Sequence, residues 1–160
     1  MLHSDAVRLL DVEDWSTWRD LRLRALAESP TAFGSTYDRE RLYTPADWQE
    51  LLADPTCASV LATVDGTPAG LAGGYPDLPG LLHVIAMWVD PAVRGRGLAG
   101  ALLGALEKWA AERGLRLHLD VTTTNLAARR AYERYGFVGT GETRPLRDGA
   151  AEVVERLVLR

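Results

Sequence analysis

A glycine-rich segment with two arginines is the part of the chain whose residue types most directly indicate chemistry. It reads Arg94-Gly95-Arg96-Gly97-Leu98-Ala99-Gly100 and lies between an apolar stretch and a helix-forming stretch. Glycines let the backbone approach a ligand closely, and the first turn of a helix offers unpaired N–H groups with a partial positive charge. With the two guanidinium groups, this arrangement predicts a site for phosphate or pyrophosphate.

The same loop fits two phosphate-binding patterns. Three of its glycines, with Asp120 roughly 20 residues further on, match the dinucleotide fingerprint of nicotinamide-dependent oxidoreductases. In that fold the strand runs directly into the first glycine, whereas residues 90–94 intervene here. The other spacing is Arg94-x-x-Gly97-x-Ala99, preceded by an apolar strand. The loop alone therefore leaves two function classes open.

A second segment downstream carries its own residues at fixed spacing. It reads Asn125-x-x-Ala128-x-x-x-Tyr132-x-x-x-Gly136-Phe137. Together with the Arg-x-x-Gly-x-Ala loop, in this order and across one helix and one strand, it resembles the two signatures of the GNAT superfamily, the acyl-CoA-dependent N-acetyltransferases. The specific residues lie between about Leu81 and Phe137, and the layout of the whole chain is similar to that family.

The resemblance implies how acetyl-CoA would be bound. The loop would hold its pyrophosphate through Arg94, Gly95, Arg96, Gly97, Leu98 and Ala99. The preceding strand is expected to carry a bulge and to part from the strand that follows it in sequence. Backbone N–H groups of Met87, Trp88 and Val89 would then hold the pantetheine arm and the thioester carbonyl. Asn125 and Ala128 would contact the CoA arm.

The resemblance also implies a role for Tyr132. Acetyl transfer needs a polarised carbonyl, a neutral amine and a proton for the departing thiolate. The Tyr132 hydroxyl would lie near the sulfur and donate that proton, while the amine attacks directly without an acyl-enzyme. Cys57 is the only cysteine and lies outside both motifs, so nothing marks it as a nucleophile. The general base stays unassigned among a water chain, His83, His118, Asp120 and Glu40.

The sequence defines the acceptor site less closely than the acetyl-CoA site. In the resembling family it is formed by the first two helices, the loop between them and the last hairpin. This predicts substrate-binding residues Phe33, Tyr37, Glu40 and His83, with Gly34, Tyr43, Trp48 and residues 143–148 nearby. A small amine, an antibiotic, an amino-acid derivative and a peptide N-terminus all remain open as acceptors. A non-catalytic acyl-CoA-binding or regulatory domain on the same fold is the alternative hypothesis.

Hydrophobic periodicity indicates the elements that position these residues. Apolar residues at helical spacing over 98–110 predict a helix after the loop, and alternation over 115–121 predicts a half-buried strand. Asp65-Gly66 marks a hairpin turn, and Pro76–Gly80 is expected to interrupt the chain.

The remaining elements follow the same signals. Strands are expected at 6–10, 58–64, 69–75, 81–89, 115–121, 137–140 and 153–159. Helices are expected from Asp11 or Asp14 to Glu28, from Thr44-Pro45, after the loop, and over 125–135. The order β-α-α-β-β-β-α-β-α-β-β predicts an α+β fold with a mixed, mostly antiparallel central sheet.

Length and composition bound the protein class. The chain has 160 residues, of which 47% are hydrophobic and 25% charged, so one domain over residues 1–160 is expected. The net charge of −4 argues against nucleic acid as a partner. One cysteine permits neither an internal disulfide nor a thiolate zinc cluster, and no metal is expected.

Localisation and assembly are expected from the same features. Uncharged runs are shorter than the roughly 18 residues that a membrane span needs. Residues 1–20 contain no apolar signal-peptide core, so a cytoplasmic protein without a membrane partner is expected. Exposed edges near the last strands are natural surfaces for a homodimer in this fold.

Overall fold

Seven strands form one open sheet in the computed structural model, which describes residues 6–160. They are β1 (Ala6–Leu9), β2 (Ala58–Val64), β3 (Thr67–Leu78), β4 (Leu81–Val89), β5 (Arg116–Thr122), β6 (Phe137–Pro145) and β7 (Val153–Leu159). Their order in the sheet is β1-β2-β3-β4-β5-β7-β6. The β4–β5 pair is parallel and the other pairs are antiparallel, so the expected mixed, mostly antiparallel sheet is confirmed.

Helices cover both faces of the sheet. They are α1 (Trp15–Glu28), α2 (Tyr37–Glu40), α3 (Pro45–Ala53), α4 (Leu98–Ala111) and α5 (Leu126–Tyr135), with 3-10 turns at Val12–Asp14 and Pro91–Val93. Side chains alternate across a strand, so Val60 and Ala62 of β2 pack in the core under α4 while Leu61 packs in the core under α1 and α3. The sheet thus separates two hydrophobic cores.

Local sequence signals set several element ends as expected. Thr44 and Asp47 form a capping box at the start of α3, with Pro45 in its first turn. Asp65 and Gly66 both have positive φ, at 51° and 78°, as a tight hairpin turn requires. The cap expected from Asp11 is made on the 3-10 turn that precedes α1.

One element was not predicted, and one expectation about another was wrong. The one-turn helix α2 was not predicted, because four residues carry too little periodicity. The interruption expected at Pro76 does not occur, since β3 continues to Leu78. The β3–β4 ladder is irregular between Pro76 and Leu78, which is where a residue without an N–H donor is tolerated. As a result Asp77 lies within a strand beside β4.

Strands β4 and β5 form a fork, which positions the site. Their pairing joins Leu81–His83 to Arg116–His118 and, within residues 6–160, stops there. From Val84 onward, the edge of β4 that faces β5 makes no ladder hydrogen bonds with β5. Within the same described part of the chain, no helix is long and apolar enough to cross a membrane.

Candidate active site

A bulge distorts β4 beyond the point where the fork opens. Ile85 pairs with Gly73 and Trp88 with Leu71, so β4 has one more residue than β3 over this stretch. Ala86 lies inside it with φ at 60°, a left-handed conformation that costs a non-glycine residue about 1 kcal/mol or more. A bulge leaves backbone groups outside the ladder. The expected bulged strand that parts from its neighbour is therefore present.

A cavity of about 300 Å³ lies at this fork. Its walls come from β4, β5, α1, α5, the loop before α2 and the last hairpin. Its polar and aromatic lining residues are Arg22, Phe33, Ser35, Tyr75, His83, Asp120, Tyr132 and Arg144. Segments far apart in sequence therefore supply one enclosed set of ionisable groups, beside the bulge residues Ala86 and Met87.

Tyr132 presents a free hydroxyl to this cavity. Its ring packs edge-on against Phe137, with centroids 5.8 Å apart, and within residues 6–160 its hydroxyl has no hydrogen-bond partner. Burial raises the pKa of Tyr132 to about 12, so the phenol keeps its proton at neutral pH. By contrast, the Tyr135 hydroxyl donates to Glu107 at 2.6 Å.

His83 belongs to a hydrogen-bonded cluster that crosses three strands. Its Nδ1 lies 3.0 Å from Asp77 Oδ2, and His118 Nε2 lies 2.7 Å from Asp77 Oδ1. The Tyr75 ring stacks on His83 with centroids 5.3 Å apart. Because an ionised Asp77 accepts from Nδ1–H, His83 presents the lone pair of Nε2, which lies 3.9 Å from Asp120 Oδ2.

The ionisation states of the cluster follow from burial and pairing. Burial acts to raise the pKa of Asp77, but the hydrogen bonds from His118 and His83 outweigh it and hold that pKa below its usual value. Burial also lowers the pKa of His83, against the opposing influence of Asp77 and Asp120. A neutral imidazole beside an ionised carboxylate is therefore the form at neutral pH.

The same three side chains have the types that bind metals. Asp77, His83 and His118 each place one potential ligand atom within 4.8 Å of the others. Both oxygens of Asp77 already accept an imidazole hydrogen bond. We therefore describe this group as a hydrogen-bonded cluster that fixes the His83 ring.

The glycine loop is open toward solvent. Gly95 and Gly97 have φ of 84° and 82°, and a Cβ at either position would meet no atom within 4 Å. Glycine is therefore required here by the backbone conformation rather than by crowding. Gly97 precedes α4 without a side-chain cap, so the first N–H groups of this helix remain available to an anion.

The two arginines of the loop differ. Arg94 is anchored, because its Nε donates to Val89 O and its Nη2 to Glu28 Oε1, both at 2.8 Å. Hydrogen bonds from Ser29 and Trp88, together with Arg94, hold the pKa of Glu28 below its usual value. Arg96 is exposed and makes no ion pair within residues 6–160. Arg94 thus fixes the loop to β4 and α1, and Arg96 is the freer cation.

The site residues that were predicted from the sequence differ in where the structure places them. Phe33 and His83 line the cavity, whereas Tyr37 is exposed outside it and buried Glu40 pairs with Arg22. The Asn125 side chain accepts from Ala128 N at 3.2 Å and caps α5. Trp88, Val89 and Leu98 pack their side chains in the two cores. Only the backbone groups of these residues are therefore available to a ligand.

Some residues that line the cavity, or that hold its lining in place, were not expected from the sequence. Asp77 was missed because Pro76 was interpreted as a break, although an acid two residues before a turn on a long strand is a usable signal. Arg22 and Tyr75 carry no motif and reach the cavity only through folding, whereas Arg144 lies in the segment 143–148 that was expected near the acceptor. Cys57 is half-buried outside the cavity, and burial raises the pKa of its thiol.

The comparisons with known proteins agree with this geometry. Residues 15–137 match the family model for the acetyltransferase (GNAT) family. A relative, acetyltransferase Atu2258 of Agrobacterium fabrum, is 41% identical over 70 residues, which cover 44% of this chain and 50% of that protein. The L-2,4-diaminobutyric acid acetyltransferase of Streptomyces coelicolor is 35% identical over 82 residues, covering 49% of this chain and 48% of that protein. The chain thus spans about half the length of these curated relatives.

Solved structures extend the likeness to the fold. A GNAT-family acetyltransferase from Streptococcus pneumoniae has a TM-score of 0.81 at 21% identity, covering 98% of this chain and 100% of that chain. The aminoglycoside N-acetyltransferase AAC(6')-Iy, solved in complex with CoA, has a TM-score of 0.72 at 23% identity, covering 89% and 93%. With the bulged fork, the glycine loop and the family match over most of its length, the chain belongs to the GNAT acetyltransferase family.

Proposed function

We propose that this protein, as a single domain, is an enzyme that transfers an acetyl group from acetyl-CoA to a primary amine of a small molecule or peptide. The observation that carries the proposal is the cavity at the β4–β5 fork. It joins a bulged strand, a protonated tyrosine and a neutral histidine in one cavity. These are the groups that acyl transfer from a thioester to an amine requires.

The donor side rests on backbone groups. The free edge of β4 around Met87 to Val89 offers N–H groups to the pantetheine arm and the thioester carbonyl. The loop from Arg94 to Ala99 and the first turn of α4 suit the pyrophosphate, through N–H groups, the helix dipole and Arg96. The relative solved with CoA supports this choice of donor.

The acceptor side supplies the proton transfers. In the reaction a C–N bond forms and the thioester C–S bond breaks. We assign His83 Nε2 to accept the proton that the attacking amine gives up, because Asp77 holds the ring and its neutral form prevails at neutral pH. We assign the Tyr132 hydroxyl to donate a proton to the departing thiolate, because its high pKa keeps that proton available.

A non-catalytic acyl-CoA-binding domain is the alternative function. Such a domain would need the loop and the fork but no proton donor and acceptor inside the cavity. The free hydroxyl of Tyr132 and the oriented imidazole of His83 favour catalysis. The relative named for L-2,4-diaminobutyric acid and the one named for aminoglycosides support an amine acceptor.

Thermal stability and thiol release test the proposal together. Acetyl-CoA is expected to raise the melting temperature, whereas NAD is expected to leave it unchanged. A panel of primary amines with detection of free CoA thiol should then reveal turnover. Binding of acetyl-CoA without turnover of any amine would favour the non-catalytic alternative, and no response to millimolar acetyl-CoA would overturn the donor assignment.

A further inference from the structure

The acceptor end of the cavity has buried polar atoms that the protein itself does not satisfy. Arg22 Nη1 and Ser35 Oγ are both buried and, within residues 6–160, both lack a hydrogen-bond partner. Both residues line the cavity. Buried polar groups are almost always paired in folded proteins, because an unpaired one costs about 1–3 kcal/mol. Two more such atoms in the described residues, Trp18 Nε1 and His118 Nδ1, belong to side chains outside the cavity lining, so Arg22 and Ser35 are the two that a ligand in the cavity could pair with.

Arg22 is held rigidly in the position that leaves this atom free. Its Nε and Nη2 donate to the two oxygens of Glu40 at 3.0 and 2.9 Å. The guanidinium carbon lies 4.9 Å from the centre of the Phe33 ring. The Arg22 side chain is only 11% exposed and that of Glu40 only 7%. Glu40 thus occupies the Nε–Nη2 edge of the guanidinium, and Nη1 is the nitrogen left without a partner in the described residues.

The loop that carries Ser35 is also fixed from outside. Arg147 Nη1 donates to Phe33 O at 2.8 Å, and Thr122 Oγ1 donates to Thr31 O at 2.8 Å. These bonds tie the loop to the last hairpin and to β5. Guanidinium and hydroxyl donors held in place by other elements form a preorganised subsite for an oxyanion.

The charges and the size of the cavity further restrict the class of ligand that it can bind. Asp120 is the carboxylate on the cavity wall within the described residues, and both Arg144 and Arg156 bind it. Asp120 offsets the charge of Arg144, whereas Arg22 keeps a guanidinium N–H without a partner in the described residues, which favours an anionic group over a polycation. The cavity of about 300 Å³ must also hold the thioester end of acetyl-CoA, which favours a small acceptor of about the size of an amino acid.

From these observations, and resting on the proposed function, we propose that the acceptor is an amino carboxylate, a free amino acid or a close analogue. Its carboxylate is bound by Arg22 Nη1 and Ser35 Oγ, and its amine faces His83 and the β4 bulge. A polycationic aminosugar lacks the carboxylate that this subsite fits. A peptide N-terminus also lacks it, because an amide replaces the carboxylate next to the amine.

Matched substrates test this assignment. Each of several L-amino acids is compared with its C-terminal amide and with its decarboxylated amine at equal concentrations of neutral amine, by CoA thiol release. The expected kcat/KM is about tenfold or more higher for the acids, as loss of a charge-assisted hydrogen bond implies. The aminoglycoside kanamycin and a short peptide complete the panel.

Variants test whether Arg22 and Ser35 cause the preference for acids over amides. Arg22→Gln is made with Glu40→Gln, so that no buried carboxylate is left unpaired, and circular dichroism checks the fold. This double variant is expected to lose the preference for acids over amides, and Ser35→Ala to reduce it. Arg144→Gln is expected to keep it. A preference lost in Arg144→Gln and kept in the double variant would overturn the assignment to Arg22.

The outcomes separate this inference from the proposed function. If acetyl-CoA stabilises the protein and amides, amines, kanamycin or peptide are used as well as the acids, the carboxylate subsite is wrong and the acetyltransferase proposal stands. The same holds if acetyl-CoA binds and other amines are used but no amino acid is. If acetyl-CoA does not bind, the proposed function itself fails.

Discussion

At the scale of single residues, two tyrosines on α5 show how environment separates roles. Tyr132 and Tyr135 lie three positions apart, and both rings contact Phe137. The Tyr135 hydroxyl is bound to Glu107, whereas the Tyr132 hydroxyl faces the cavity. One phenol is therefore used in a structural hydrogen bond and the other remains available for proton donation.

We expect Tyr132→Phe to lower kcat by about 10²-fold or more, the usual contribution of a positioned acid. The affinity for CoA should stay within about twofold, because only a hydroxyl is removed. Steady-state rates and calorimetric titration with CoA measure the two quantities. Tyr135→Phe is the matched control and should keep its rate. Unchanged turnover in Tyr132→Phe would remove Tyr132 from the acid role.

His83 gives a second prediction at the same scale. His83→Gln is expected to lower kcat/KM by about 10²-fold. In the unmodified enzyme, kcat/KM referred to the concentration of neutral amine should fall on the acid side as His83 gains a proton, at a pH below 6.5 because burial lowers its pKa. This acid limb should be absent in His83→Gln.

The matched control for His83 is His118→Gln. His118 binds the same carboxylate but is fully buried and lies outside the cavity lining. Its variant should retain the acid limb and most of the rate. Equal losses in both variants would indicate that the cluster acts on structure alone.

At the scale of elements, the glycine loop and the fork show where backbone conformation carries function. Gly97 and Gly80 both have positive φ, at 82° and 75°, and a Cβ at either would meet no atom within 4 Å. Gly97 precedes α4, whereas Gly80 lies in the β3–β4 turn, at the other end of β4 and about 25 Å away at ~3.3 Å per residue. Both positions therefore require a positive φ, but they lie at different places in the fold.

We expect Gly97→Ala and Gly80→Ala to destabilise the fold alike, by about 1 kcal/mol, because alanine disfavours positive φ. Gly97→Ala should in addition weaken CoA binding several-fold, since it moves the N–H groups that precede α4. Chemical denaturation and calorimetric titration with CoA distinguish the two effects. Equal CoA affinities in both variants would separate the loop from pyrophosphate binding.

At the scale of the whole molecule, a neutral histidine inside the structure links stability to pH. The pKa of His83 is lowered in the folded protein by burial, so the unfolded chain binds more protons than the folded one below about pH 6.5. Stability is therefore present above that pH and falls as the pH drops toward the folded pKa.

We expect the melting temperature to decrease between pH 7 and pH 5.5. Carboxylates with lowered pKa values, such as Asp77, contribute their own loss only at lower pH. His83→Gln should show a smaller decrease over the same interval. Scanning calorimetry across this range measures both proteins, and parallel curves would contradict the role given to His83.

Much of the fold could be predicted because its signals are local. The apolar stripe of α4, the Thr44 cap of α3 and the Asp65-Gly66 turn each act within a few residues. The extension of β3 through Pro76 could not be predicted, because its ladder depends on β4 rather than on the propensity of Pro76. The same limit hid Asp77 and with it the orientation of His83.

The sequence by itself determined which residues we propose for the donor side, since the loop from Arg94 to Ala99 and the motif from Asn125 to Phe137 are continuous patterns whose spacing carries their meaning. Only the tertiary structure decided the acceptor side. There, Arg22, Ser35, His83 and Asp120 line one cavity because β4 parts from β5 and because α1 and its following loop lie over the gap. Such contacts join residues far apart in the chain, and no local propensity encodes them.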